Sequence, residues 1–271
     1  MGEIKQYLGR DVKRDREKGI LRLTQSAYAD ELVTSFGLAD AHPVKTPMDP
    51  GLVMDDSPDP NIKTKEYQRG VGSLIWLATR TRPDLSRTAG VLAQYNAAPT
   101  KKSWAALKHA LRYIKGTIDL GVQYERDPNP EAAITLPIAY SDADWGGPLN
   151  GDRRSTSAYI FTLTKGPVSW RSQKQASIAL SSNEAEYMAA SETAREAIWI
   201  RNLMLDLGIL GSETPPMKFK IDNKGVDDMT KKLEQRGDQK IEARRHQIPL
   251  CPRYDFEGHM YSMCSAFPAR K

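Results

Sequence analysis

Five acidic residues of this 271-residue chain have the type and spacing to do chemistry: Asp142, Asp144, Glu184, Glu186 and Asp222. Carboxylates are hard oxygen donors. Several of them converging from separate rigid elements can hold divalent cations while leaving coordination positions for substrate and water. The order along the chain suits that need. Asp142 closes a predicted strand, Glu186 lies in the first turns of a predicted helix, and Asp222 ends a further predicted strand. Acidic residues at strand ends are also ordinary solvated turn residues, so spacing alone leaves both readings open.

Helical phase separates two of the five. At roughly 100° per residue, Glu184 and Glu186 point in very different directions. Glu186 shares its direction with Ala190, Ala197, Ile200 and Met204, the small and apolar side that should pack on a sheet. Glu184 shares its direction with Arg195, Asn202 and Asp206. A carboxylate on a sheet-facing side is costly unless partnered, which makes Glu186 the ligand candidate and Glu184 a capping or solvated charge. Asp142 and Asp144 are two residues apart and point to the same side of a strand, so alternation cannot choose between them.

The elements that must position these groups are legible in the pattern. Tyr7 to Val12 and Ile20 to Thr24, around the turn-like Asp15 to Gly19, read as a hairpin. Helices are expected over Gln25 to Phe36, Lys65 to Thr79, from Pro83 to the stop at Pro99, and from about Ser103. Six prolines or glycines between Pro43 and Pro60 make that stretch a loop. Thr117 to Pro137 reads as short strand and turn, with Asp127-Pro128-Asn129-Pro130 as the linker, dividing the chain into residues 1–130, 131–247 and a tail at 248–271. Beyond the linker, strands are expected at Ile134 to Tyr140, Ser157 to Leu163 and Val168 to Arg171. A long helix follows Ser181, which with Glu184 forms a possible capping box, and a last strand runs from Met217 to Ile221.

Composition bounds the function without deciding it. Lys plus Arg number 39 against 34 Asp plus Glu, a net charge of +5 that permits nucleic-acid binding. The longest apolar runs fall far short of a membrane span and no secretory signal is visible, so an intracellular location is expected. Cys251 and Cys264 lack the paired spacing of a zinc site, and His246 and His259 lack a second ligand at usable spacing. In the helix near Ser103, Lys108, Arg112 and Lys115 gather away from the apolar residues Trp104, Leu107, Leu111 and Ile114, a stripe that could follow a phosphate backbone or simply be solvated. Arg153 and Arg154, close to the Asp142 strand, are further candidates for phosphate contact or a solvated turn. Trp145, Trp170 and Trp199 are expected to pack in the core or at its rim.

Tyr140-Ser141-Asp142-Ala143-Asp144-Trp145, Asp152-Arg153-Arg154-Ser155-Thr156-Ser157, Ser169-Trp170 and Ala179-Leu180-Ser181-Ser182-Asn183-Glu184-Ala185-Glu186-Tyr187-Met188-Ala189 closely resemble the ribonuclease H region of copia-type retrotransposon polyproteins. Tyr7-Leu8-Gly9, Gly70-Val71-Gly72-Ser73-Leu74, Thr81-Arg82-Pro83-Asp84 and Tyr113-Ile114-Lys115-Gly116-Thr117 resemble the stretch that follows the polymerase active site in the same polyproteins. The resemblance implies an α/β fold: a ribonuclease H-like mixed sheet with helices, preceded by a mainly helical thumb- or connection-like part of a reverse transcriptase. It places the family's catalytic carboxylates on Asp142, Glu186 and Asp222. They would bind two Mg²⁺, with Mn²⁺ as a substitute, and cut the RNA strand of an RNA–DNA hybrid during reverse transcription.

Other parts of the polyprotein would be partners, in a cytoplasmic particle or the nucleus. The polymerase Tyr-x-Asp-Asp motif is absent. After Gln247 the resemblance stops and the segment carrying a fourth carboxylate is missing, so the chain reads as truncated at both ends, with the second metal weakly held. The alternative expectation is an inactive remnant that binds nucleic acid without hydrolysing it.

Overall fold

The computed structural model describes residues 3–49, 52–54, 57–127, 136–146, 153–211 and 217–221. Two layered regions follow one another. The first opens with β1 (Gln6–Tyr7), β2 (Arg10–Asp15) and β3 (Ile20–Thr24), an antiparallel run in which Leu8 and Gly9 take positive φ at the tight turn between β1 and β2. Helices α1 (Ser26–Ser35) and α2 (Thr64–Arg80), a 3₁₀ turn (Pro83–Leu85), α3 (Ser86–Ala93) and α4 (Lys101–Gly116) come next. Thr100 caps α4 by accepting from the Ser103 N–H, and Ser103 returns the bond to the Thr100 N–H. The chain then supplies β4 (Val122–Glu125), which pairs antiparallel with β3 and completes a four-stranded sheet. This part is therefore less purely helical than its pattern suggests. The pairing of β3 with β4 joins residues about a hundred positions apart, which no local periodicity announces.

The helices enclose one core, with Tyr67, Leu74, Leu92, Leu107, Leu111 and Ile114 shielded from solvent. Two motifs of the sequence meet at its edge. Arg82, only 1% exposed, donates from Nε and Nη2 to the two carboxylate oxygens of Asp84 at 3.0 and 2.7 Å. It also donates from Nη1 and Nη2 to the carbonyl and hydroxyl of Thr117, and its guanidinium lies 5.5 Å from the Tyr113 ring centre. A buried guanidinium is tolerated only when its donors are satisfied, and here the neighbouring motif satisfies them.

The second region contains β5 (Ile138–Asp144), β6 (Thr156–Leu163), β7 (Gly166–Lys174), α5 (Ser182–Asp206) and β8 (Phe219–Ile221). β5, β6 and β7 form an antiparallel meander, and β8 returns after α5 to lie parallel to β5 on its free side, giving the order β7-β6-β5-β8. A helix between β7 and a parallel strand is the connection such an arrangement requires. α5 covers one face of the sheet through Ala194, Ala197, Ile200 and Met204, which pack with Ala139 and Phe161. Gly208 ends the helix with φ +67, a left-handed turn in which the Ile209 N–H bonds the Met204 carbonyl.

The other face of this sheet leans on the first region. The Trp170 indole donates to the Ala78 carbonyl at 2.6 Å, Tyr124 donates to the Pro167 carbonyl at 2.7 Å, and Lys165 pairs with Glu125. A side chain at Gly166 would collide with the Gln123 carbonyl and the Tyr124 ring, so glycine is what lets β7 approach β4. The expected linker centre, residues 128–130, and the expected tail, 248–271, lie outside the described residues, as do Cys251, Cys264, His246 and His259.

Candidate functional site

β5 presents alternate residues to its two faces. Ala139 and Ser141 face α5, Ala139 in the core and Ser141 accepting a hydrogen bond from the Thr193 hydroxyl at 3.0 Å. Tyr140, Asp142 and Asp144 line the opposite side, where a cleft of about 300 Å³ opens between the sheet and Pro83, Ser86 and Arg87 of the first region. Asp142 is exposed, and no hydrogen bond or ion pair joins its carboxylate to any described residue. Asp144 is committed: the Arg87 guanidinium donates to its Oδ2 at 2.6 Å. The two acids that strand alternation could not separate are thus separated by a partner 57 residues away from Asp144.

Glu186 is buried on α5, in the company of Ala190, Ala197, Ile200 and Met204. Arg195, Asn202 and Asp206 are exposed, as helical phase required. Glu184 has another task. Its carboxylate accepts from the Leu180 N–H at 2.7 Å while its own N–H donates to the Ser181 hydroxyl at 3.2 Å. The expected capping box is accordingly shifted, with the return bond going to residue 180 rather than to the Ser181 N–H. Gln175, buried, ties the start of α5 to the sheet: its amide donates to the Ala185 carbonyl at 2.8 Å and to the Ser157 hydroxyl at 2.9 Å. Ser157 pairs with Ala143, so Glu186 enters at the Asp142 end of β5.

β8 contributes the third approach. Ile221 pairs with Ser141 in parallel register. The residue before Asp222 and the residue before Asp142 are thus neighbours, while Asp222 itself lies outside the described residues. Among the described residues no group of three or more His, Cys, Asp or Glu stands close enough to hold a metal ion.

The candidate phosphate contacts fall in two places. Arg112 donates from Nε to the His42 carbonyl at 2.7 Å and Lys115 donates to the Ala41 carbonyl at 2.8 Å, so both hold the proline-rich loop against α4. Lys108 lies 5.4 Å from the Trp104 ring centre, a cation–π distance. Arg153 is exposed and Arg154 half-buried, just ahead of Thr156, which pairs with Asp144. The tryptophans divide. Trp170 is half-buried and bridges the regions, but Trp145 and Trp199 are 51% and 57% exposed, against the expected packing. The site residue that sequence reasoning missed is Arg87. Its distance along the chain from Asp144 left no spacing signal that could have found it.

No family model matches the chain, and no solved structure does. Curated proteins do. The chain is 40% identical over 219 residues to a retrovirus-related Pol polyprotein from transposon RE2 of Arabidopsis thaliana, covering 79% of this chain and 14% of that protein. It is 34% identical over 217 residues to the Pol polyprotein from transposon TNT 1-94 of Nicotiana tabacum, covering 77% of this chain and 16% of that protein. A secreted RxLR effector protein 161 of Plasmopara viticola is 45% identical over 139 residues, covering 51% of this chain and 94% of the effector. The chain thus spans about a sixth of the polyproteins it matches. No helix among the described residues is long and apolar enough to cross a membrane. The breadth of the polyprotein matches, running across both regions, shows that the chain belongs to the Pol polyproteins of copia-type retrotransposons.

Proposed function

We propose that the second region is a ribonuclease H-like unit that cuts the RNA strand of RNA–DNA hybrids, with Asp142, Glu186 and Asp222 as the ligands of two Mg²⁺ ions. The observation that carries this reading is the pairing of Ile221 with Ser141 in parallel strands, together with the anchoring of the first turns of α5 at the same end of β5. Two described elements carry a candidate carboxylate near one end of one sheet, Asp142 on the cleft face of β5 and Glu186 on the helix that covers the other face, and β8 runs toward that end as far as Ile221. The donor chemistry fits a hard divalent cation: Asp142 is a solvent-facing carboxylate on an open cleft, uncommitted to any described residue.

Asp142, Glu186 and Asp222 would hold the divalent metal, which would supply Lewis-acid chemistry for hydrolysis of the phosphodiester. The protein's part is to fix the donors. Asp142 is held by its pairing with Ala158 of β6, and Glu186 by the buried face of a 25-residue helix. Glu184 is engaged by the cap of α5, and Asp144 is paired with Arg87 while the cleft holds no strand.

The test is hydrolysis of labelled RNA in an RNA–DNA duplex by the folded chain. The expected result is cleavage with Mg²⁺, none with chelator, and loss in Asp142→Asn. Absence of cleavage by folded protein at any Mg²⁺ or Mn²⁺ concentration overturns the reading, and binding without cleavage would leave a nucleic-acid-binding remnant in its place.

A further inference from the structure

The cleft in front of Asp142 has walls from both regions. Its floor is made by rows across the sheet, Tyr140–Ile160–Trp170, Asp142–Ala158–Ser172 and Asp144–Thr156. Ala158 and Thr156, in the rows that begin at Asp142 and Asp144, keep that end of the floor low. The facing wall is the start of α3, from which Arg87 reaches across to Asp144. Both partners are well exposed, 56% for Arg87 and 44% for Asp144, and a solvent-screened ion pair of that kind contributes little to stability. The guanidinium can therefore leave Asp144 for another anion at little cost. Its planar fork of donors matches the oxygens of a phosphate group.

We propose that Arg87 is a phosphate-binding residue for a nucleic-acid strand entering this cleft, and that Asp144 holds its side chain over the cleft mouth until the strand arrives. The inference rests on the function proposed above in taking the strand to belong to an RNA–DNA hybrid. It makes the first region part of the substrate-binding surface of the second. It also gives Asp144 a use that differs from that of Asp142.

The test is fluorescence anisotropy of a labelled RNA–DNA hybrid with the full chain, in EDTA so that nothing is hydrolysed. Arg87→Ala should weaken binding several-fold and lower the slope of log K against log salt by about one, as expected for one lost phosphate contact. Arg87→Lys should keep most of the slope, and Asp144→Asn should tighten binding by releasing the guanidinium. Equal affinity and slope for Arg87→Ala and the unsubstituted chain would overturn the proposal, as would weakening by Asp144→Asn to the level of Arg87→Ala, which would make the pair a brace between the regions. Thermal melting of each variant separates these outcomes from misfolding. Hydrolysis is scored separately: an Arg87-dependent slope in a chain that never cuts RNA sustains this inference and sinks the nuclease, and cutting with an unchanged slope does the reverse.

Discussion

The two regions pack their cores in different ways. In the first, α2, α3 and α4 meet through large side chains such as Tyr67, Leu74, Leu92, Leu107 and Leu111, and the edge is closed by the pairing of buried Arg82 with half-buried Asp84. In the second, α5 meets the sheet largely through Ala185, Ala189, Ala190, Ala194 and Ala197, so the helix lies close to the strands and Phe161 fills much of the space. Bulk stabilises the first region, and close approach organises the second. The contrast suits their parts in the proposed function: a heavy core supports one wall of the cleft, and a closely packed helix fixes the carboxylate end of the sheet.

The largest effect is expected in the first region. Arg82→Ala leaves Asp84 without its partner and Thr117 without its donors, and should cost about 3–5 kcal/mol of stability, read by denaturant unfolding. A cost near zero would mean that the ion pair does not hold the edge of this core. The second region should be vulnerable to the opposite change. Ala194→Leu adds bulk where the helix touches the sheet and should cost about 1–3 kcal/mol, whereas an alanine layer with spare room would absorb it.

A smaller effect carries a pH signature. Burial pushes the Tyr67 hydroxyl up to about 12 from 10.0, and it donates to the Leu92 carbonyl at 2.9 Å. Because the folded state favours the neutral phenol, this contribution is fully present below pH 10 and is lost as pH rises from 10 towards about 12. Tyr67→Phe should cost about 0.5–1.5 kcal/mol at neutral pH by removing that hydrogen bond, since the Leu92 carbonyl still accepts from the Tyr95 N–H at 3.1 Å. It should also flatten the alkaline loss of stability, measured by melting at pH 9 and above pH 11. Tyr124 and Tyr159, also raised by burial, leave part of the slope in place.

What could be read from the sequence follows the range of the interactions involved. The face of α5 was legible because residues three and four apart report their own burial: Glu186 falls with Ala190 and Ile200, and Glu184 with Arg195. The helices and strands stand within a few residues of their expected places for the same reason. What was not legible depends on distant partners. β4 finds β3 across the whole helical region, Arg87 finds Asp144, and Arg112 and Lys115 are drawn to carbonyls of a loop some seventy residues earlier. A basic stripe on a helix looks the same in sequence whether it faces phosphate, solvent or its own chain. Trp199 shows the limit from the other side, since an aromatic on a long helix is exposed here without any local sign of it.

The central claim is that one carboxylate of α5 serves the metal and its neighbour two residues earlier serves the helix end. The most direct measurement is Mg²⁺-dependent cleavage of an RNA–DNA hybrid by Glu186→Gln and Glu184→Gln side by side, each checked for a cooperative melt. The account predicts that Glu186→Gln abolishes cleavage, while Glu184→Gln, still able to accept from the Leu180 N–H, cuts within a few-fold of the unsubstituted chain. Cleavage retained by Glu186→Gln, or abolished in a well-folded Glu184→Gln, would contradict it.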